Sequence, residues 1–255
     1  MLSDRHLDQW ATRGWIVVPG AFTPDHVARI DRWIGDVESW SSGGGPGLHH
    51  FEQTEHGPRI ARSEDFEPHH PELASVLRAG TIPDTLAAVL GEPVTLFKEK
   101  VNYKHPGGAG FAPHQDATAY RFVDHHVSCM VPLDPATEAS GCLYFAPVVP
   151  HTVLPNTDGR IDPEWVATAP WEPAEVEPGD LVVFDSYTPH HSGTNTTNRS
   201  RRAMYLTYNA ASRGDFRDRY YDDKRALLAD ADDAGAERVR ISVNDDFLGV
   251  PVASP

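Results

Sequence analysis

The chain has 255 residues, 40% of them hydrophobic, and a formal net charge of −15. That is enough apolar material for a sizeable core, which excludes disorder as the default, and 37 acidic against 22 basic residues argue against nucleic-acid or anionic-membrane partners, which need basic patches. The start, Met1-Leu-Ser-Asp-Arg-His-Leu-Asp8, lacks a signal peptide's apolar stretch, no run reaches the ~18 apolar residues of a membrane span, and Cys129 and Cys142 are too few for a disulfide framework, so a soluble, cytoplasmic protein is expected.

Ser3 caps a short predicted helix holding Leu7, Trp10 and Ala11, and Gly14 ends it. Trp15 to Gly20 reads as a short buried strand. Thr23-Pro24-Asp25 starts a second helix with Val27, Ile30, Trp33, Ile34 and Val37 on its core face. Ser41 to Gly47 reads as a loop, and the absence of a following Lys-Ser or Lys-Thr excludes a phosphate-binding P-loop. Leu48 to Pro71 is polar and holds His49, His50, His56, His69 and His70; it reads as a surface loop or lid.

Two helices follow, over 72–79 and 83–90. From Val94 the period changes to two. Lys98, Lys100, Asn102 and Lys104 fall on one face of a strand, and Phe97, Val101 and Tyr103 on the other with Glu99. The lysine face meets either solvent or, if the strand lines a barrel, an anionic ligand. Further strands are expected over 127–133, 141–146, 181–187 and 201–208, with a long insertion over 156–173 and a last helix over 220–230. About eight strands between Gly/Pro turns give an all-β core with flanking helices, a double-stranded β-helix or jelly roll of the cupin kind. One domain is expected to span 1–255, with helices over about 3–90, the core over about 94–209, and a helix and tail over 210–255.

The chemistry centres on Phe111-Ala-Pro-His-Gln-Asp-Ala-Thr-Ala-Tyr120. His114 and Asp116 are two apart, so on an extended strand they point at one spot. An imidazole and a carboxylate are two thirds of the facial triad that binds Fe(II) and leaves positions open. A third ligand is available in Thr188-Pro-His-His-Ser-Gly-Thr-Asn195, and Arg201 follows His190 by eleven residues. Such a set suits 2-oxoglutarate: the iron takes its 1-carboxylate and keto oxygen, and an arginine fork grips the distal carboxylate. O2 takes the last position, and succinate and CO2 leave.

On His114-Gln115-Asp116, Ser140-Gly-Cys-Leu143, Pro178-Gly-Asp180 and His190-x-Ser192-x-x-Asn195 followed by Arg201, the sequence resembles the phytanoyl-CoA dioxygenase-like Fe(II)/2-oxoglutarate oxygenases. The resemblance runs from Trp10 to Tyr208. It selects His190 over His191 as the third ligand, beside His114 and Asp116. It implies that Arg201 binds the distal carboxylate of 2-oxoglutarate with Gln115 and Ser192 helping, that Arg202 is its solvent-side neighbour, and that Lys100 and Met130 line the co-substrate pocket. No CoA-binding feature stands in the chain. Lys98-Glu-Lys-Val-Asn-Tyr-Lys104 and the segment Thr207-Tyr-Asn to Lys224-Arg225 are most similar to a bacterial branch that includes hydroxylases of small aminophosphonates. This branch implies a small anionic substrate, with contacts from Lys98, Asn102, Tyr103, Tyr120 and Asn209. The competing readings are a halogenase, disfavoured because Asp116 fills the halide's place, a non-catalytic jelly-roll metal-binding protein, and a jelly-roll isomerase with Zn or Mn. The sequence leaves the prime substrate and the oligomeric state open.

Overall fold

The computed structural model describes residues 2–54, 57–119, 122–147, 150–233, 239–240 and 248–249. The Ser3 hydroxyl accepts from the His6 amide and starts α1 (Asp4–Arg13), and Thr23 does the same for α2 (Pro24–Gly43). The loop expected from Ser41 begins later, because α2 continues to a left-handed cap at Gly44. Ser39, Ser41 and Ser42 each donate a side-chain hydrogen bond to the carbonyl three residues back, which keeps these weak helix formers inside the helix.

The stretch Pro71–Leu90 is long and apolar enough by composition to cross a membrane. It is broken at Gly80 into α3 (Pro71–Arg78) and α4 (Thr81–Leu90), and Leu73, Leu77, Ile82 and Leu86 are fully buried in the core. Both helices form within a residue or two of their expected bounds.

The strands are β1 (Trp15–Val18), β2 (Leu48–Thr54), β3 (Gly57–Glu64), β4 (Val94–Lys104), β5 (Phe111–His114), β6 (Val127–Pro132), β7 (Leu143–Phe145), β8 (Asn156–Thr157), β9 (Arg160–Ile161), β10 (Glu172–Ala174), β11 (Leu181–Asp185), β12 (His190–Ser192) and β13 (Arg201–Ala210). They build two sheets, ordered β1-β11-β6-β13-β4-β3-β2 and β10-β7-β12-β5-β9-β8. The described strands pair antiparallel, and the two sheets face each other as a jelly roll. Two short segments, Val239–Arg240 and Leu248–Gly249, pair separately. The long insertion is folded as the β8–β9 hairpin, α5 (Pro163–Thr168) and β10.

Strand alternation divides the larger sheet. Its outer face, with Leu96, Val101, Val131, Met204 and Leu206, packs in one core with Ile30, Ile34, Leu73 and Leu86 of the helices. Its inner face carries Trp15, Met130, Val182 and Phe184 against Leu143 and Phe145 of the smaller sheet, and Trp15 stacks on Phe145 at 4.8 Å.

Two expectations fail here. β2 and β3 pair with each other and continue the larger sheet, where a surface loop or lid was expected; His49, His50, Arg62, Ser63 and Glu64 are buried. Phe97 does not share a face with Val101, because a register shift between Thr207 and Tyr208 in the β13–β4 pair displaces it. Its ring instead meets His126 at 4.7 Å and Tyr220 at 5.1 Å.

β3 ends at Glu64, opposite Lys100, so the β4 edge before Lys100 has no strand partner on that side. Tyr221, on α6 (Arg217–Asp233), takes the place of one. Its hydroxyl accepts from the Glu99 amide at 3.2 Å and donates to the Glu99 carbonyl at 2.8 Å. Arg217 adds an ion pair to Glu99 at 2.6 Å, where both side chains are almost fully buried. Thus α6 is fixed to the sheet at the point where the inner face opens. Tyr221→Phe should lower stability by about 1–2 kcal/mol, because two buried backbone groups lose their partner. Urea unfolding followed by circular dichroism measures this, and an unchanged midpoint would contradict the edge-capping role.

Candidate active site

His190 and His114 are directly paired across β12 and β5. Asp116 lies just past the end of β5, in the first turn of a short 3-10 helix, Asp116–Thr118. The His-x-Asp pair therefore converges through a strand end and a tight turn, not through strand alternation alone. One ligand atom from each of His114, Asp116 and His190 lies within 4.8 Å of the others, a spacing that one metal ion can bridge.

The surroundings fix each side chain. His114 Nδ1 is 2.7 Å from the Ala112 carbonyl and His190 Nδ1 is 3.0 Å from the Thr188 carbonyl. A carbonyl only accepts, so each Nδ1 carries the proton and each Nε2 keeps its lone pair for a metal. The His190 ring is held by Phe184 at 4.9 Å and Phe145 at 5.9 Å. Asp116 Oδ2 accepts from the Ser128 hydroxyl at 3.1 Å, and Ser128 meets Thr207 at 3.1 Å. Burial pushes His114 down to about 3, helped by His190, and lowers His190 as well, so both imidazoles are neutral at pH 7. Burial would raise Asp116, but His190, Lys98, His114 and Lys100 together hold it well below the usual carboxylate range. Two neutral imidazoles and one carboxylate are the protonation states a divalent cation requires.

His191 points the other way, stacked on Tyr144 at 4.8 Å and against Trp171 at 4.6 Å. Arg202 likewise faces outward, where Asp134 at 2.9 Å and Asp31 at 2.9 Å occupy its guanidinium. Arg201 is buried inside, 2% exposed, with Nη2 donating to the Gly141 carbonyl at 2.6 Å and Nη1 to the Tyr205 hydroxyl at 3.3 Å. Its Nε has no hydrogen-bond partner among the described residues. A small cavity lies against it, lined also by Asn102, Lys104, Phe111 and Tyr205. Lys104, paired with Arg201 in register, donates to Ser192 Oγ at 2.9 Å and to the Gly193 carbonyl. Gly141 allows this close approach. It sits at φ 75°, and a Cβ there would lie 2.4 Å from the Gly193 carbonyl oxygen and 2.9 Å from Lys104 Nζ.

The lysines of β4 face inward. Lys98 is in register with Thr207, and Thr207 with Ser128, which holds Asp116; Lys100 is in register with Tyr205, and Tyr205 with Met130. Lys100 Nζ lies 5.4 Å from the Tyr205 ring. Crowding and burial show in their acidity: burial above all lowers Lys98 to about 8 and Lys100 well below the normal lysine value.

Three of the expected contact residues have protein partners of their own. The Gln115 side-chain amide donates to the Thr152 and Tyr187 carbonyls and accepts from the Leu154 amide, so its donors hold a loop and not a co-substrate. Tyr103 packs in the outer core with its hydroxyl 3.5 Å from Ser63 Oγ, and it also lines the cavity beside Arg201. Asn209 Nδ2 is taken by the Ala210 and Gly214 carbonyls at the turn towards α6. Tyr120 lies outside the described residues. Sequence reading gave no site role to Tyr205, which lines the cavity beside Arg201, or to Arg62 and Lys224, which both meet Glu64.

A family model described as phytanoyl-CoA dioxygenase matches residues 10–203. The chain belongs to that family. With it, the chain is an Fe(II)- and 2-oxoglutarate-dependent dioxygenase. It is 42% identical to a methylphosphonate hydroxylase of Gimesia maris over 252 residues, 98% of this chain and 97% of the other. It is 38% identical over 223 residues to a 2-aminoethylphosphonate dioxygenase of an uncultured bacterium, 85% of each chain. Among solved structures, EctD from S. alaskensis with 2-oxoglutarate and 5-hydroxyectoine superposes with a TM-score of 0.70 at 22% identity, over 83% of this chain and 77% of the other. That likeness establishes the fold.

Gln115→Ala should release the loop that it ties. Hydrogen exchange at the Leu154 amide is expected to speed up by about tenfold or more, the loss of one buried hydrogen bond. An unchanged rate would mean that the loop is held by other contacts.

Proposed function

We propose that this dioxygenase hydroxylates a small phosphonate, with methylphosphonate as the first substrate to test. The observation that carries the reading is the pair of inward lysines, Lys98 and Lys100, in register with the strands that hold Asp116, inside a chain of net charge −15. Half-buried lysines on the face that holds a metal triad suit an anion, and a phosphonate offers up to two negative charges and three acceptor oxygens. The relatives named for phosphonates, similar over most of the chain, support the same reading.

In this proposal His114, Asp116 and His190 hold Fe(II). Arg201 grips the distal carboxylate of 2-oxoglutarate, with Lys104 and the Tyr205 hydroxyl beside it, and Ser192 orients Lys104. Met130 and Tyr205 form the wall between that end and Lys100. Lys98, Lys100 and Asn102 hold the phosphonate oxygens and so point a C–H bond at the metal. The bound iron supplies O2 activation: one oxygen atom enters the C–H bond, and the other leaves in succinate as 2-oxoglutarate loses CO2. Methylphosphonate then gives hydroxymethylphosphonate. Trp15, Phe145 and Phe184 keep water away below the triad. The contributing residues extend from Trp15 on β1 to Tyr205 on β13, so we read the chain as one catalytic domain.

Asp116→Ala is expected to abolish succinate formation while leaving the circular dichroism spectrum unchanged, because the carboxylate lies outside both apolar cores. Near-wild-type succinate release by that variant would overturn the ligand assignment. Arg201→Lys should raise the KM for 2-oxoglutarate by about tenfold or more, with a smaller change in kcat, since one charge-assisted hydrogen bond of a bidentate pair is lost. The same effect from Arg202→Ala and none from Arg201→Lys would move the role to Arg202.

A further inference from the structure

Tyr205 stands between the co-substrate end of the inner face and the lysines further along β4. On β13, Arg201, Ala203, Tyr205 and Thr207 alternate with Met204, Leu206 and Tyr208. The second set packs in the outer core, so the first set projects from the inner face. Tyr205 is opposite Lys100 on β4 and Met130 on β6. Directly opposed residues share a face, so these three side chains form a row across the sheet.

The tyrosine leans along its own strand. Its hydroxyl accepts from Arg201 Nη1 at 3.3 Å, although Arg201 lies four residues back, and Lys100 Nζ is 5.4 Å from the centre of its ring. Ala203 lies between Arg201 and Tyr205 on that face; it is fully buried and carries only a methyl group, which leaves the ring room to pass over it. A hydroxyl that accepts from a guanidinium still has its own proton to give. Tyr205 and Arg201 line the same small cavity, and Arg201 Nε has no hydrogen-bond partner among the described residues. A carboxylate seated there can accept from both side chains.

We propose that Tyr205 is a positioning residue that couples the two ligand sites: Arg201 and the bound carboxylate fix its hydroxyl, and its ring then fixes the place of the Lys100 ammonium. The proposal rests on the phosphonate reading above. Tyr205 acts through Lys100 and touches no reacting atom. An ammonium within about 6 Å of a ring centre is attracted to its face, and the neighbouring phosphonate favours the charged form of the lysine. Ordering a long lysine side chain costs entropy, and part of that ordering is already done once the co-substrate holds the tyrosine. Each ligand therefore strengthens the other, and linkage makes the two factors equal. Direct repulsion between two anions works in the opposite direction, with or without the hydroxyl.

The test is calorimetry without oxygen on protein loaded with Fe(II). The Kd of 2-oxoglutarate is measured with and without saturating methylphosphonate, and the Kd of methylphosphonate with and without saturating 2-oxoglutarate. In wild type each ligand should tighten the other by the same factor, about fivefold or more. Tyr205→Phe keeps the ring and drops the hydroxyl; both ligands should still bind, and the factor should fall to one or below. Tyr205→Leu removes the ring as well and should also lose the coupling, with each variant checked for folding by circular dichroism. A factor of one or less in wild type, with methylphosphonate bound, overturns the proposal and leaves the phosphonate reading standing. An unchanged factor in Tyr205→Phe overturns it too, because the hydroxyl then carries no coupling. Failure of methylphosphonate to bind in either state overturns the phosphonate reading, and this proposal with it.

Discussion

Lys98, Lys100, Lys104 and Arg201 stand between two sheets, where an uncompensated charge costs several kcal/mol. The chain meets this cost unevenly. Lys104 donates to a hydroxyl and to main-chain carbonyls, and Arg201 to the Gly141 carbonyl, so both are held in place before any ligand arrives. Lys98 and Lys100 have aromatic faces nearby, which soften their burial without neutralising it. The fold therefore gathers basic side chains on the inner face of the larger sheet. Much else serves to hold them beside His114, Asp116 and His190: the register of β13 against β4 and β6, the closure by α6, and the apolar packing of Trp15 and Phe145 beneath.

In the proposed function this arrangement separates two anions. Arg201 and Lys104 occupy one end of the inner face, and Lys98 and Lys100 lie further along β4 towards Thr207. A dicarboxylate co-substrate and an anionic substrate can then approach one metal from different sides without sharing a cation. Pre-placed side chains of this kind lower the cost of ordering at the moment of reaction.

The triad was legible in the sequence because its signal is local. His114 and Asp116 are two residues apart, and a third histidine followed by an arginine at hairpin distance is a second short pattern. The choices of His190 over His191 and Arg201 over Arg202 needed the resemblance, since neighbours on a strand differ only in the face they take. The hairpin of β2 and β3 was not legible. Its inward residues, His50, Arg62 and Glu64, are polar because they line a charged interior, so the alternation that marks a half-buried strand is missing. The sequence likewise shows a last helix over 220–230 but not that Arg217, Tyr221 and Lys224 of α6 face buried partners. Gln115 misled in the opposite direction: its neighbours in the motif carry the chemistry, while its own amide ties down a loop.

The central claim is that a phosphonate held by Lys98 and Lys100 is what this dioxygenase oxidises. It is tested most directly by the stoichiometry of one reaction. Iron-loaded protein is given 2-oxoglutarate, O2 and methylphosphonate, and succinate and hydroxymethylphosphonate are counted together. The account predicts that methylphosphonate accelerates succinate release and that the two products form one for one. Succinate release that methylphosphonate does not alter, with no hydroxylated phosphonate formed, would contradict it.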